Sequence, residues 1–278
     1  MPRTIALIFD FDGTLAPDST TSLLASLGID SERFWREDVG ALLDAGWDEM
    51  PAYLWKMIEW SQQQPPGQRL TQERLRRWGE QIEFFPGVES LFTQSRAEAA
   101  AIDPGVNVEF YLISSGIGAV LRATGIASEF RNIWASDFHC NDAGEIVGVR
   151  NVVSFTEKTR FIVQISKGIV GADAQGRNKE VNKRVESSEF AVPFRNMIVV
   201  GDGDTDVPMF AMVRRPDDKG RRGVTIGVSD PKQRTKWGKA LSLVHDQRVD
   251  VLLEADYSDT RALRATLVEY LQRLARRE

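Results

Sequence analysis

Short apolar runs alternate with longer segments of helical periodicity along this chain. Apolar runs bounded by turn residues are typical of strands buried on both faces of a parallel sheet. Strands that alternate with helices predict an α/β fold with a doubly wound, Rossmann-like and mostly parallel sheet. The predicted strands are "TIALIF" (4–9), "VEFYLI" (108–113), "NIWAS" (132–136), "NMIVVG" (196–201) and "GVTIGV" (223–228).

A helical insertion separates the first two predicted strands. Its apolar residues recur with helical spacing, so that Leu54, Met57 and Ile58 share one face. We predict a small domain over 17–83, inserted into a core made of 1–16 and 84–278. Its helices are expected at 31–45, 47–63 and 71–83. Its tryptophans favour a packed interior over a ligand cage, although one or two could line an entrance for substrate.

Three further patterns are structural. The polar stretches 171–189 and 214–223 are predicted to be solvated surface loops. The segment "FHCNDAGEIVG" (138–148) predicts a hairpin with "NDAG" as its turn, in which His139 and Cys140 have structural roles. The C-terminal residues from 259 onwards predict an amphipathic helix with basic residues in its last turns.

Charge and composition exclude several classes of function. The chain has 278 residues and a net charge of -5, which argues against nucleic acid or a membrane surface as the main partner. A single cysteine permits no internal disulfide, and the apolar run before Asp10 is too short for a signal peptide. No stretch approaches the ~20 apolar residues of a transmembrane helix. We therefore expect a cytoplasmic protein.

Polar side chains follow three of the predicted strands. Carboxyl ends of the strands in a doubly wound sheet meet at one edge, so these side chains should converge. Clustered carboxylates are unfavourable without a cation, and Mg²⁺ prefers oxygen ligands. The pattern therefore predicts a metal site. The converging residues are Asp10 and Asp12, then Ser114 and Ser115, then Asp202, Asp204 and Asp206.

Lys158 is the candidate positive side chain. Ser154 and Glu157 have the spacing of a capping box, which predicts that a helix begins here with Lys158 in its first turn. A lysine there opposes the helix dipole, so a carboxylate or phosphate partner is expected. Lys167, near the end of the same helix, is an ordinary position for a lysine.

Two other motifs are weaker. "DGDTD" imitates a calcium loop, but positions 6 and 12 of that loop are Val207 and Val213 instead of Gly and Glu. "GIGAVL" (116–121) resembles a dinucleotide fingerprint, but its third glycine is replaced by Leu121. We interpret Asp204 as an incidental turn residue.

Together these residues resemble the haloacid dehalogenase (HAD) superfamily of phosphohydrolases. The family's four motifs appear in order: "DFDGT" (10–14), Ser114, Lys158, and "GDGDTD" with Asp202 and Asp206. The resemblance covers roughly 4–15 and 84–230. The helical insertion falls where the family places its cap domain.

The resemblance implies a role for each motif residue. Asp10 would be the nucleophile and Asp12 the general acid and base. The Asp10 carboxylate, the Asp12 backbone carbonyl and Asp202 would hold Mg²⁺. Asp206 would complete the acidic wall of the metal site, either through a water molecule or by holding Lys158. The phosphoryl oxygens would be bound by Lys158 and Ser114, or by Ser115 in place of Ser114.

The predicted activity is that of a Mg²⁺-dependent phosphatase acting on a small phosphorylated metabolite through an aspartyl-phosphate. Asp12 favours ester hydrolysis over dehalogenation, because a leaving alkoxide needs a proton. Two alternatives stay open. The same site could serve a phosphomutase or phosphotransferase, and the fold could belong to a non-catalytic phosphate-binding protein.

Overall fold

This computed structural model describes residues 3–171, 174, 176–233 and 237–276. Within them, the strands form one seven-stranded sheet. Its order is β4-β3-β2-β1-β5-β6-β7. All neighbouring strands are parallel except β3 and β4, which confirms the predicted doubly wound, mostly parallel α/β fold. The strands are β1 (Arg3–Phe9), β2 (Val106–Ile117), β3 (Asn132–Cys140), β4 (Ile146–Asn151), β5 (Met197–Gly201), β6 (Val224–Ser229) and β7 (Val251–Glu254).

Helices connect the strands and cover both faces of the sheet. Short 3₁₀ turns occur at Ala127–Glu129, Asn178–Asn182, Ser187–Glu189, Phe194–Asn196 and Asp204–Asp206. The α-helices are α1 (Ser19–Ser26), α2 (Ser31–Arg33), α3 (Gly40–Asp44), α4 (Glu49–Gln63), α5 (Gln72–Gly79), α6 (Val88–Ile102), α7 (Gly118–Leu121), α8 (Glu157–Ser166), α9 (Val207–Val213), α10 (Trp237–His245) and α11 (Ala262–Ala275).

The central strand β1 explains the two-sided core. Its alternate residues Ile5, Leu7 and Phe9 pack with α6 and α11. Ala6 and Ile8 point to the other face and pack with α8 and α9. A strand buried on both faces must be apolar throughout, which is why "TIALIF" lacks polar alternation.

The direction of winding reverses at β1. The chain builds outwards on one side through β2, β3 and β4, then returns to place β5, β6 and β7 on the other side. Loops that leave β1 and β5 in opposite directions open a crevice at the carboxyl ends of these strands. This crevice is the region in which the predicted site residues should meet.

The inserted segment forms its own apolar cluster. Buried side chains of α1, α4 and α5 pack together and against Ile117, Val120 and Ile146 of the core. The segment leaves and rejoins the core at one place, where the Phe85 N–H donates to the Leu15 carbonyl at 2.9 Å. The boundaries 17–83 remain a prediction.

Several elements differ in detail from the prediction. The strand β7 was not predicted. The predicted strand 132–136 and the first arm of the predicted hairpin are one continuous strand, β3. The predicted helix 31–45 is α2 and α3 joined by a π-helical turn, Phe34–Val39. The predicted capping box is wrong, because Thr156 is the N-cap of α8 and no side-chain cap bond forms.

The two polar stretches behave differently. In 171–189, residues 172, 173 and 175 lie outside the described residues, and the rest contains short 3₁₀ turns. In 214–223, Arg214 and Arg222 bind Asp250 at the amino ends of β6 and β7, away from the crevice. Within the described residues, no helix has both the length and the apolar character that crossing a membrane requires.

Candidate active site

Three aspartates meet where β1 and β5 end. Asp10 directly follows β1, and Asp202 and Asp206 follow β5. Because these strands are hydrogen-bonded neighbours and parallel, their carboxyl ends coincide. One carboxylate oxygen from each residue lies within 4.8 Å of the others. This group could hold a metal ion, as the strand-end pattern predicted.

Lys158 is completely buried beside these carboxylates. Its Nζ lies 2.6 Å from Asp206 Oδ1 and 3.3 Å from Asp10 Oδ1. It also donates to Thr205 Oγ1 at 3.1 Å. Burial disfavours the charged ammonium, but the two carboxylates outweigh it and raise the pKa of Lys158 above its ordinary value. The carboxylate partner predicted from its place in the first turn of α8 is therefore present.

Asp10 is in an environment that opposes its charge. Burial raises the pKa of Asp10 to about 6, the Lys158 ammonium works against this rise, and the Asp206 carboxylate adds to it. A carboxyl with this pKa is ionised at neutral pH. It is therefore able to act as a nucleophile.

The Asp12 carboxylate is not part of the three-aspartate group. Its Oδ1 accepts a hydrogen bond of 2.7 Å from the Ser19 N–H at the start of α1. A Cβ at Gly116 would lie 2.8 Å from its Oδ2, so the glycine leaves room for this carboxylate. Burial and the charge of Asp18 raise the pKa of Asp12 to about 7. A group with this pKa can both give and take a proton near neutrality.

The turn between these two aspartates depends on Gly13. Its φ of +74° is a left-handed conformation that side chains rarely adopt. A Cβ at this position would also overlap the Asp202 carboxylate. The glycine therefore allows the β1 turn to approach the aspartate that follows β5.

Ser114 and Ser115 lie at the end of the apolar part of β2. Ser114 Oγ accepts from the Gly116 N–H at 3.0 Å. Ser115 Oγ is buried and has no hydrogen-bond partner among the described residues, while its carbonyl accepts from Tyr53 Oη at 2.8 Å. Because its hydroxyl is unpaired, Ser115 is as good a candidate as Ser114 for binding a phosphoryl oxygen.

A cavity of about 310 Å³ joins these groups. Of the predicted site residues, Asp10, Asp12, Ser114, Ser115 and Asp202 line this cavity. Lys158 and Asp206 are not among the lining residues. Lys158 contacts Asp10, and Asp206 belongs to the three-aspartate group. Asp204 also lines the cavity. Its wall also includes Trp35, Glu49 and Tyr53 of the inserted segment and Asp230 and Gln233 after β6.

Sequence reasoning missed part of this wall. Thr205 lies inside the "GDGDTD" motif, and Asp230 follows a predicted strand, so the strand-end rule could have found both. Glu49 and Tyr53 carry no such signal, because their position depends on how the inserted helices pack, whereas Trp35 is one of the tryptophans that could line an entrance for substrate. The roles of the predicted site residues stay predictions.

Comparison with known proteins identifies the fold. No protein-family model matches the chain. An uncharacterized protein of Borreliella burgdorferi is 26% identical over 275 aligned residues, which cover 91% of this chain and 92% of that protein. A phosphoserine phosphatase in its apo form superposes with a TM-score of 0.57 and 16% identity, covering 95% of this chain and 98% of that one. The chain shares the α/β fold of that phosphoserine phosphatase.

A second solved structure supports the same assignment. A HAD family hydrolase, t0658 of Salmonella enterica subsp. enterica serovar Typhi, superposes with a TM-score of 0.54 and 15% identity. The match covers 85% of this chain and 66% of that protein. In this chain the shared fold brings the Asp10, Asp202 and Asp206 carboxylates together at the end of the central strand.

Proposed function

We propose that the chain is a Mg²⁺-dependent phosphatase that hydrolyses a small phosphomonoester through an aspartyl-phosphate on Asp10. The observation that carries the proposal is the contact between Asp10 and the buried Lys158 beside a group of carboxylates able to hold a metal ion. The HAD fold, shared with phosphoserine phosphatases, supports it.

The donor set fits Mg²⁺. The group of Asp10, Asp202 and Asp206 offers only oxygen ligands, which hard divalent cations prefer. We assign the Asp10 and Asp202 carboxylates and the Asp12 backbone carbonyl to the metal, and Asp206 to Lys158 and to metal-bound water. When bound, the ion supplies positive charge that stabilises the transferring phosphoryl group.

In the first step, a carboxylate oxygen of Asp10 attacks phosphorus and the bond from phosphorus to the ester oxygen breaks. Asp12 donates its proton to the leaving alkoxide, which departs as an alcohol. A pKa of about 7 means that a substantial fraction of Asp12 carries this proton at neutral pH. Lys158 and the serine hydroxyls hold the phosphoryl oxygens.

In the second step, Asp12 accepts a proton from a water molecule as that water attacks the phosphorus of the aspartyl-phosphate. The acyl phosphate bond breaks, inorganic phosphate leaves and Asp10 is again a free carboxylate. A cavity of about 310 Å³, walled by the inserted segment, suits a small substrate and limits the access of bulk water.

The test is phosphate release from a panel of phosphorylated metabolites and an aryl phosphate, with Mg²⁺ and with EDTA. We expect metal-dependent release, and Asp10→Asn should lower kcat by roughly 10³-fold or more because it removes the nucleophile. Asp44→Asn, an exposed change at the end of α3, is the matched control.

Two outcomes would contradict the proposal. Turnover that requires an added acceptor alcohol would indicate a phosphotransferase or mutase. Binding of Mg²⁺ and inorganic phosphate without turnover of any ester would indicate a non-catalytic protein.

A further inference from the structure

The cavity is strongly acidic beyond what a metal site requires. Its lining includes seven carboxylates, and none of the described lining residues is a lysine or arginine. One divalent cation and the buried Lys158 offset only part of this charge. The portion of a substrate that lies outside the phosphoryl site therefore meets a negative potential. The lining carboxylates are Asp10, Asp12, Asp18, Glu49, Asp202, Asp204 and Asp230.

Glu49 differs from its acidic neighbours in the wall. Asp18 caps α1 by accepting from the Thr21 N–H at 2.9 Å, and Asp230 accepts from Gln233 Nε2 at 3.1 Å. Glu49 is exposed, and its carboxylate makes no hydrogen bond or ion pair with any described residue. Its carboxylate is thus available to a ligand in the cavity.

Two aromatic rings line the same part of the cavity. Trp35 and Tyr53 have ring centroids 5.6 Å apart and an interplanar angle of 52°. The protein already satisfies their polar atoms, because Trp35 Nε1 donates to Thr21 Oγ1 at 2.9 Å and Tyr53 Oη donates to the Ser115 carbonyl. Tyr53 is buried, so what remains for a ligand is the π surface of the partly exposed Trp35 ring, which attracts ammonium groups.

We infer that the alcohol part of the substrate carries an ammonium group, held by Glu49 and by the ring of Trp35. The substrate class is then a small aminoalkyl or quaternary-ammonium phosphomonoester. This inference rests on the proposed phosphatase function. A second phosphate or an unbalanced carboxylate on the alcohol would be repelled by the acidic wall.

The test compares phosphomonoesters that differ in charge. Phosphocholine and phosphoethanolamine carry the cation, 3,3-dimethylbutyl phosphate is the uncharged isostere of phosphocholine, and 3-phosphoglycerate carries an extra carboxylate. We expect kcat/KM for the better cationic ester to exceed that of the uncharged isostere by about tenfold, the range of a partly desolvated cation–π contact with an ion pair. The carboxylate-bearing ester should be the poorest of the four.

Glu49→Gln should lower the ratio of kcat/KM for the cationic ester to kcat/KM for its isostere by about three- to tenfold. A change in activity common to both esters cancels in this ratio, and turnover of the isostere by the variant shows that the variant is folded. Glu83→Gln, an exposed glutamate outside the cavity, is the matched control and should leave the preference unchanged. Dissociation constants measured by calorimetry on Asp12→Asn should show the same charge preference without turnover.

The two levels of failure are distinguishable. If all esters are inert with Mg²⁺ present, the proposed function fails and this inference fails with it. If the uncharged or carboxylate-bearing ester is turned over best, or Glu49→Gln leaves the preference intact, the phosphatase stands and the ammonium site is overturned.

Discussion

Lys158 is a fully buried cation, and two neighbouring carboxylates stabilise its charge. The ammonium loses its hydration, and the Asp206 and Asp10 carboxylates at 2.6 and 3.3 Å offset that loss. Removing one partner of such a group leaves an uncompensated buried charge, which is more destabilising than the absence of the whole group. The residue therefore links stability to the site.

Lys158→Met keeps the length of the side chain and removes the charge. Without the ammonium, Asp10 and Asp206 repel each other, so we expect the free energy of unfolding measured in EDTA to fall by about 3 kcal/mol. Phosphate release should fall by at least roughly 10²-fold, because charge on the phosphoryl oxygens loses its partner.

Lys167→Met is the control for that variant. Lys167 lies at the end of the same helix, and its Nζ donates to the Val181 and Lys183 carbonyls outside the cavity. It should retain activity. Equal losses of activity in the two variants would contradict the placement of Lys158 in the site.

Single residues were predictable where their chemistry is unusual for their position. Lys158 was found because a cation in the first turn of a helix opposes the dipole. Asp10 and Asp12 were found because carboxylates at the end of a buried strand need a cation. Glu49 was not found, since an acidic residue in the first turn of α4 is favourable without any ligand.

At the scale of elements, α5 of the inserted segment lies directly against α7 of the core. Gly79, at the end of α5, makes this possible, since a Cβ there would overlap the Val120 carbonyl oxygen. Backbone atoms cannot move aside as the end of a flexible side chain can. The separation of the two helices is therefore set by the missing side chain.

Gly79→Ala should destabilise the protein by about 1–3 kcal/mol, because the helices must separate to accept one methyl group. For Gly40→Ala, the change in stability is expected to have the opposite sign. Gly40 lies at the start of α3, where a Cβ would be 3.7 Å from its nearest neighbour, and alanine there should stabilise by about 0.5–1 kcal/mol. Urea unfolding of both variants measures the two changes.

Strands were predictable in proportion to their burial. The strands β1 and β5, buried on both faces, appear in the sequence as uninterrupted apolar runs. The strand β7 is at the edge of the sheet and only partly buried, and its four residues were not recognised. The π-helical turn at Phe34–Val39 has no sequence signal known to us, so the predicted helix 31–45 lacked it.

At the scale of the whole molecule, Asp250 ties together distant parts of the chain at the end of the sheet opposite the cavity. Arg222 binds it with two contacts of 2.7 and 3.1 Å, Arg214 lies at 3.2 Å, and the Thr225 N–H donates to it at 2.9 Å. Burial alone would raise the pKa of Asp250, but these donors lower it below its ordinary value.

Asp250→Asn should lower the free energy of unfolding by about 1–3 kcal/mol at neutral pH, since hydrogen bonds to a charged group are lost. A depressed pKa in the folded state stabilises the fold above the ordinary aspartate pKa of about 4, and this contribution disappears as pH falls through the folded value. Wild type and variant should therefore converge in acid.

Unfolding curves between pH 7 and the acid limit check that expectation. Asp218→Asn, an exposed change in the loop that carries Arg214 and Arg222, should show no difference at any pH. A gap between wild type and Asp250→Asn that persists unchanged in strong acid would contradict the assigned ion pairs.

The hydrogen bond from Phe85 to Leu15 has a consequence for the history and engineering of such proteins. Because the two ends of the inserted segment lie side by side, a replacement whose own ends are adjacent could be exchanged at that point, provided that it also covers Ile117, Val120 and Ile146 of the core. The sheet and its aspartates would keep their positions. Under the proposed function, the core would determine the reaction chemistry and the inserted segment the substrate preference, in separate stretches of one gene.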